Sequence, residues 1–196
     1  MKRIFIIHGW DGFPEGDWFP WLKKELESKD FVVQVPAMPN TNEPKIDLWI
    51  NFLKEIVGKP DKETYFVGHS IGCQTILRYL ETLDKDIKIG GVVFVAGWIN
   101  LNMDFIIKEE GDEEGPYEIA NPWLETKIDW NKIKVHTKNF VAIFSDNDPY
   151  VPMEDSRIFK DKLKAKIIIE HNKCHFRGID GVTKLPIVLE SINGME

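Results

Sequence analysis

Short runs of apolar residues recur along the chain and are separated by longer amphipathic stretches. The runs are rich in β-branched and aromatic side chains, which is typical of strands that are buried on both faces of a parallel sheet. The pattern predicts six strands, at residues 4–7, 31–35, 65–67, 92–96, 140–144 and 167–169.

The stretches between these runs have apolar residues at the spacing of helices. Asp17 is the expected cap of the first helix, Gly58 ends the second, and Pro186 fits the first turn of the last. The pattern predicts five helices, at about residues 18–26, 46–57, 70–80, 154–163 and 183–192. Alternating strands and helices indicate a three-layer α/β/α sandwich around a six-stranded, mostly parallel sheet.

One segment, residues 98–138, breaks this alternation. It contains aromatic residues around an acidic stretch, KEEGDEEGPYE, and it is too long for a simple connection within a compact domain. Two interpretations stay open: a solvated loop whose aromatic side chains pack onto the body, or a small lid or pocket wall. In either case we expect residues 1–196 to form a single domain.

Composition narrows the class of protein. The formal charge of -7 over 196 residues, with no local cluster of Lys or Arg, argues against a nucleic-acid partner. About five apolar residues follow Lys2 and Arg3, and no stretch approaches the roughly 18 that a membrane span needs. We therefore expect a cytoplasmic protein that does not associate with membranes, with Cys73 and Cys174 as free thiols.

Candidate chemistry begins at Gly68-His69-Ser70-Ile71-Gly72, which lies between a predicted strand and a predicted helix. This is the context of a nucleophile elbow, in which a strained turn lifts the serine hydroxyl above the carboxyl edge of the sheet. The neighbouring chain then passes so closely that the two flanking positions have room only for glycine. The N–H of Ile71, at the helix N-terminus, is placed to stabilise an oxyanion. The alternative is an ordinary glycine-flanked turn.

A second oxyanion donor is expected from IIHGWDG, the loop after the first strand. Gly9 allows a close turn, and the N–H of Trp10 would meet that of Ile71 across the oxyanion. The loop lacks the Gly-x-Gly-x-x-Gly spacing and the lysine of a nucleotide site. The candidates for the pocket lining are His8, Gly9, His69, Trp98 and Trp123.

A serine nucleophile needs a general base that a carboxylate holds in the correct tautomer. His171 and His175 both follow the last predicted strand, on the side where the loops converge. We favour His175, because a few residues of loop allow its ring to swing back over the elbow, and His171 is the alternative. His136 precedes the fifth strand and therefore lies at the wrong end of the sheet.

The carboxylate is expected from FSDNDPYVP, after the fifth strand. We favour Asp148, which lies farther out on the loop and is followed by prolines that stiffen the backbone, over Asp146. The order Ser70, Asp148, His175 is the one expected for this fold.

No cofactor or metal is expected. His171, Cys174 and His175 lie close in sequence, but no second cluster with metal-ligand spacing matches them. Cys73 is expected to be a small buried residue of its helix rather than a nucleophile.

Together, HGW after the first strand, VGHSIGC at the elbow, SDNDPYVP after the fifth strand and a late histidine resemble the small serine hydrolases grouped with retinoblastoma-binding protein nine, a compact branch of the α/β-hydrolase fold. The resemblance covers nearly the whole chain. It implies a six-stranded parallel sheet without the first two strands of larger hydrolases. It also implies Ser70 as nucleophile, Asp148 as acid and His175 as base.

The sequence therefore predicts a serine hydrolase that cleaves a small carboxylic ester or related acyl compound through an acyl-enzyme. Two alternatives stay open. One is a binding protein that holds a protein partner through the pocket or the aromatic surface of this scaffold. The other is acyl transfer to an acceptor other than water, because the triad chemistry is the same.

Overall fold

A single six-stranded sheet forms the centre of the computed structural model, which describes residues 1–110 and 114–195. The strands are β1 (Arg3–Ile7), β2 (Val32–Gln34), β3 (Thr64–His69), β4 (Gly91–Val95), β5 (Phe140–Ser145) and β6 (Lys166–Glu170). They are arranged in the order β2-β1-β3-β4-β5-β6, and every neighbouring pair is parallel. The central strands β3, β4 and β5 are buried along their whole length, which explains their unbroken apolar sequence.

Helices cover both faces of the sheet, which confirms the predicted three-layer sandwich. Helices α1 and α8 pack together on one face, and α2, α3, α6 and α7 form a connected layer on the other. No described helix has the length and apolar character that a membrane span requires. The helices are α1 (Phe19–Glu27), α2 (Ile46–Val57), α3 (Ile71–Glu81), α4 (Met103–Glu110), α5 (Glu114–Glu125), α6 (Trp130–Ile133), α7 (Asp155–Leu163) and α8 (Pro186–Asn193).

The order of the strands fixes where a ligand site can form. Strand β1 has β2 on one side and β3 on the other, so the direction of winding reverses at β1. Open parallel sheets bind ligands at the carboxyl ends of the strands next to such a reversal. The loop that starts at His8 and the turn at Ser70 both leave the sheet at this point.

The predicted cap of the first helix is wrong. Helix α1 begins at Phe19 after Trp18, and no side chain caps it. Pro20 in the first turn sets this start, because its fixed φ suits a helix and its missing N–H costs nothing there. Asp17 instead has a φ of 51° and accepts a hydrogen bond from the N–H of Gly178 at 2.6 Å.

The segment 98–138 contains helices α4, α5 and α6, so its interpretation as a loop is wrong. Buried charged residues fix the start of this segment and the region around the end of α5. The carboxylate of Asp155 accepts hydrogen bonds from the N–H groups of Ile99 and Asn100 at 2.5 and 2.8 Å. The guanidinium of Arg78 donates to the carbonyls of Trp123 and Thr126 at 2.7 and 2.9 Å. Residues 111–113 of the predicted acidic stretch lie outside the described residues, and a lid role stays a prediction.

Candidate active site

Ser70 is the single residue between β3 and α3. Its φ of 54° and ψ of -122° lie in a region that residues other than glycine rarely adopt. The turn is held by two backbone hydrogen bonds, from Ser70 N to Val95 O at 3.0 Å and from Cys73 N to Ser70 O at 2.9 Å. The side chain is partly exposed at the carboxyl edge of the sheet. The structure therefore shows the strained turn that the Gly-x-Ser-x-Gly sequence predicts.

The two flanking glycines are required by close contacts. A Cβ atom at Gly72 would lie 2.2 Å from the carbonyl oxygen of Ile7, and one at Gly68 would lie 2.8 Å from the backbone nitrogen of Cys73. Both distances are shorter than van der Waals contact allows. Strand β1 and helix α3 can thus approach the elbow only because these positions have no side chain.

Two backbone N–H groups lie beside the elbow without a protein acceptor. Ile71 is the first residue of α3, so its N–H has no intrahelical partner. A Cβ at Gly9 would lie 3.4 Å from the Cβ of Ser70, so the loop after β1 touches the elbow. Within the described residues, the N–H of Trp10 also makes no hydrogen bond, while its indole nitrogen donates to Asn42 O at 3.1 Å. Both groups remain free for an oxyanion.

The buried side chain of His8 holds the loop after β1 in place. Its Nε2 accepts a hydrogen bond from the N–H of Met38 at 3.1 Å, so its Nδ1 carries the proton and donates to Gly9 O at 2.9 Å. The ring is fully buried, and burial lowers its pKa. A neutral His8 therefore fixes the loop to the segment after β2, and neither nitrogen is left for a substrate.

The structure brings His175 and Asp148 together in a buried hydrogen bond. Nδ1 of His175 lies 2.8 Å from Oδ2 of Asp148, and the two side chains are 8% and 3% exposed. The other carboxylate oxygen, Oδ1, accepts from the N–H groups of Tyr150 and Val151 at 2.9 and 3.1 Å, which fixes the carboxylate. Asp148 thus holds the imidazole with Nδ1 protonated, and Nε2 is the nitrogen that can accept a proton.

His69 links the His175 loop to the elbow. Its Nε2 donates to the backbone oxygen of His175 at 2.8 Å, and the two ring centroids are 5.2 Å apart. Since His69 directly precedes Ser70, this bond places the loop that carries His175 beside the elbow. Burial and the neighbouring His175 lower the pKa of His69 to about 4, against the opposing charge of Asp17. The ring is therefore neutral at pH 7.

The loops after β5 and β6 are joined by side-chain hydrogen bonds that set the course of the chain before His175. Oδ1 of Asn147 accepts from Cys174 N at 2.9 Å, and Oγ of Ser145 accepts from Lys173 N at 3.0 Å. Cys174 has a φ of 46°, the left-handed conformation that glycine adopts most readily.

His171 and Asp146, the alternative candidates for the base and the acid, form a separate pair. Nδ1 of His171 lies 2.5 Å from Oδ2 of Asp146, and these side chains are 78% and 39% exposed. Their hydrogen bond raises the pKa of His171 and lowers that of Asp146. An exposed pair of opposite charges is typical of a surface ion pair, whereas the Asp148–His175 pair is buried.

Two of the predicted pocket residues lie in the hydrophobic core. Trp98 and Trp123 are 2% and 1% exposed. The indole of Trp123 donates to Pro44 O at 2.9 Å and packs edge-on against Trp49. These side chains are packed against protein on nearly all sides, and their place in a substrate pocket stays a prediction. A surface cavity of about 530 Å³ around Trp130 has none of the predicted site residues in its lining.

Sequence reasoning missed a shell of residues around His175. The ring of Tyr150 lies 4.8 Å from that of His175, and the guanidinium of Arg177 lies 4.9 Å from the Tyr150 ring centroid. Asp180 accepts from the N–H of His175 at 3.2 Å and is also bonded to Arg177. Tyr150 lies two residues after Asp148 and could have been predicted as a neighbour of the site from this position. For Asp180, the only indication in the sequence is its short distance from His175.

The described residues give no support for a metal site or for a cysteine nucleophile. No three His, Cys, Asp or Glu side chains converge there in a way that would hold a metal. Both cysteines are free thiols. Cys73 is buried, and burial raises the pKa of its thiol, so the thiolate that a nucleophile needs is strongly disfavoured.

Proteins that place a strained serine above the carboxyl edge of a parallel sheet, with an Asp–His pair on the following loops, are α/β-hydrolases. This chain belongs to the family described as Serine hydrolase, whose model matches residues 4–193.

The comparisons with individual proteins agree. YdeN of Bacillus subtilis (strain 168) is 30% identical over 189 residues, covering 96% of this chain and 93% of YdeN. Serine hydrolase RBBP9 of Rattus norvegicus is 24% identical over 164 residues, covering 83% of this chain and 80% of its own length. The crystal structure of the ydeN gene product superposes with a TM-score of 0.88 at 28% identity, covering 100% of this chain and 98% of that one. The predicted relationship to the small serine hydrolases is thus confirmed.

Proposed function

We propose that this serine hydrolase cleaves small carboxylic esters or related acyl compounds through an acyl-enzyme, with Ser70, His175 and Asp148 as its catalytic triad. The observation that carries the proposal is the buried 2.8 Å bond between His175 and Asp148, on a loop that His69 ties to the strained serine. The family relationship supports a hydrolase, and the geometry supports these residues for its chemistry.

Acylation begins when Oγ of Ser70 attacks the carbonyl carbon of the substrate while Nε2 of His175 takes the hydroxyl proton. The N–H groups of Trp10 and Ile71 hold the negative charge that develops on the carbonyl oxygen. Asp148 stabilises the imidazolium. The tetrahedral intermediate then collapses, His175 gives the proton to the leaving alcohol, and the acyl group remains on Ser70.

Deacylation repeats these steps with water as the nucleophile. His175 takes a proton from water, the hydroxide adds to the acyl carbon, and the intermediate releases a carboxylic acid as Ser70 regains its proton. Acyl transfer would use another acceptor at this step.

The binding-protein alternative would use either the pocket or an aromatic surface around 98–138. Burial of Trp98 and Trp123 weakens the case for the aromatic surface. Among the described residues of that segment, Tyr117 is an exposed aromatic side chain, with an exposed fraction of 40%. The Asp148–His175 pair would have no evident use in a protein that only binds.

The test combines covalent labelling with kinetics. A fluorophosphonate should label the folded protein at Ser70, identified as a mass shift on the peptide that contains it. Ser70→Ala should abolish labelling and lower kcat for p-nitrophenyl acetate by about 10⁴ to 10⁶. Ser28→Ala changes an exposed serine that is distant from Ser70 in the sequence, and this variant should retain both labelling and esterase activity. Labelling of another residue would contradict the triad, and folded protein that neither reacts nor hydrolyses esters would favour the binding protein.

A further inference from the structure

Strand β6 forms one edge of the sheet, and its sequence, Lys-Ile-Ile-Ile-Glu, is apolar between two opposite charges. Ile169 is 37% exposed, and Ile167 and Ile168 are only half-buried. The strand contains no proline, which many edge strands use to prevent pairing with another chain. An open apolar edge of this kind favours the addition of another strand.

The backbone of β6 offers hydrogen-bonding groups on its outer side. The carbonyl of Glu170 accepts from Asp146 N, so it points inward, toward β5. Because backbone groups alternate along a strand, those of Ile168 also point inward, and those of Ile167 and Ile169 point outward. Within the described residues, no hydrogen bond links β6 to any segment on this outer side.

The charges of β6 are self-complementary. If a second copy pairs antiparallel about a two-fold axis at Ile168, Lys166 of one copy lies opposite Glu170 of the other, twice. Ile167 then lies opposite Ile169 and exchanges both of its outward hydrogen bonds with it. Opposite charges and β-branched pairs directly across a ladder stabilise it, whereas like charges destabilise it. The same register therefore satisfies the backbone, the apolar side chains and the charges.

The position of helix α7 is compatible with antiparallel pairing of two β6 strands. Helix α7 packs on both β5 and β6, and a groove of about 340 Å³ beside it is lined by Met153, Ile167 and Ile169 with charged residues around them. Two-fold pairing at the edge would place the two α7 helices about two strand spacings, or roughly 10 Å, apart. This is close to the separation of packed helices, so each α7 would cover the groove of the other copy.

We propose that two copies of this chain associate through β6 into a symmetric dimer with one continuous twelve-stranded sheet. The occupant of the edge is a second copy, because the charge pattern of β6 matches itself in the antiparallel direction. This association is independent of the catalytic chemistry.

Sedimentation velocity over a range of concentrations at low salt tests the proposal, with the natural chain expected to sediment as a dimer. Lys166→Glu and Glu170→Lys each place like charges opposite one another at both ends of the ladder, so each should raise the dimer Kd about tenfold or more. The double variant with both changes restores opposite charges and should return the Kd close to its original value. Lys29→Glu and Glu63→Lys make the same charge changes at exposed positions outside β6 and should leave it unchanged.

Far-UV circular dichroism confirms that each variant is folded. A natural chain that remains monomeric at high concentration would overturn the proposal. So would a dimer that tolerates both single changes, because its interface would lie elsewhere, or a double variant as dissociated as the single ones, because the register would be different.

Discussion

His69 shows how one buried side chain makes the stability of the folded protein depend on pH. One ring nitrogen donates to His175 O, and the other, Nδ1, has no hydrogen-bond partner and lies 3.9 Å from Oδ2 of Asp17. The ionisable groups facing the ring are Asp17, Asp148 and His175, and burial outweighs the attraction of the two carboxylates. The folded protein therefore resists protonation of His69 well below the ordinary pKa of histidine.

This resistance predicts a loss of stability in acid. The pKa of His69 is 6.5 in the unfolded chain and about 4 in the folded protein. As the pH falls from 6.5 to 4, the unfolded state takes up a proton that the folded state refuses, so the free energy of unfolding falls. His69→Gln keeps a donor for His175 O but does not titrate. Urea titrations at several pH values should show that this variant loses roughly 3 kcal/mol less than the natural protein over that interval.

His171 provides the matched control because its pKa is raised, not lowered. The stability that it contributes is fully present below pH 6.5 and is lost as the pH rises through its folded value. Between pH 6.5 and 4, His171→Gln should therefore be less stable than the natural protein by a nearly constant amount, so that the two curves run parallel, and this difference should disappear at higher pH. Parallel curves for His69→Gln and the natural chain would contradict the assignment.

Single residues also show which parts of the site a sequence can predict. The glycines at 68 and 72 and the serine between them were predictable, because a strained turn permits few residue types. Cys174 was not predictable in this sense, since its φ of 46° is imposed by the neighbouring loop and has no local sequence signal. His8 and His69 were predicted to line the pocket, and this role stays a prediction; both nitrogens of His8 and Nε2 of His69 make hydrogen bonds with the backbone of neighbouring loops.

At the scale of elements, periodicity predicted those strands and helices that bury a continuous apolar face. Strand β2 is shorter than predicted, because Pro36 follows Val35 and cannot donate to a ladder. Helices α4 to α6 were not predicted, since their sequence is acidic and contains glycine and proline, including Pro122 within α5. The residues before α4 and the end of α5 are held by hydrogen bonds with Asp155 and Arg78, which leave no periodic pattern in the sequence.

Asp155 makes this dependence testable. Its buried carboxylate accepts three hydrogen bonds, from the backbone N–H groups of Ile99 and Asn100 and the side-chain amide of Asn100. Asp155→Ala would leave these donors unpaired and should lower the free energy of unfolding in urea by about 2 to 4 kcal/mol. Asp161→Ala, at an exposed position of the same helix, should change it by less than about 0.5 kcal/mol. If the two variants lost equal stability, the carboxylate would not be the anchor of this segment.

At the scale of the whole molecule, the candidate site is assembled from segments that are far apart in the chain. Residues 69 and 175 are joined across 106 positions, and Asp17 and Gly178 across 161. The convergence of the loops that follow the strands could be predicted from the alternation of elements, because parallel strands bring their carboxyl ends to one edge. The contact between Asp17 and Gly178 could not, because a carboxylate before a helix has the same local sequence whether it caps that helix or binds a distant loop.

Asp17 joins the first part of the chain to the loop that carries His175, the proposed general base, and this contact predicts a specific kinetic result. Its Oδ1 accepts from Gly178 N, three residues after His175. Asp17→Gly removes the acceptor but still permits the φ of 51°. Loss of the tether should let the imidazole shift, and kcat for p-nitrophenyl acetate should fall by about 10 to 100-fold with little change in KM.

Asp17→Asn keeps both an oxygen at Oδ1 and a tolerance for that backbone conformation, so it should recover most of the lost rate. Asp86→Ala changes an exposed carboxylate that makes no side-chain hydrogen bond or ion pair within the described residues, and it should leave kcat unchanged. Because a tether acts on geometry rather than on charge, recovery by asparagine distinguishes it from an electrostatic effect of Asp17 on His69. An asparagine variant as slow as the glycine variant would show that the charge of Asp17, and not its hydrogen bond to the loop, supports the reaction.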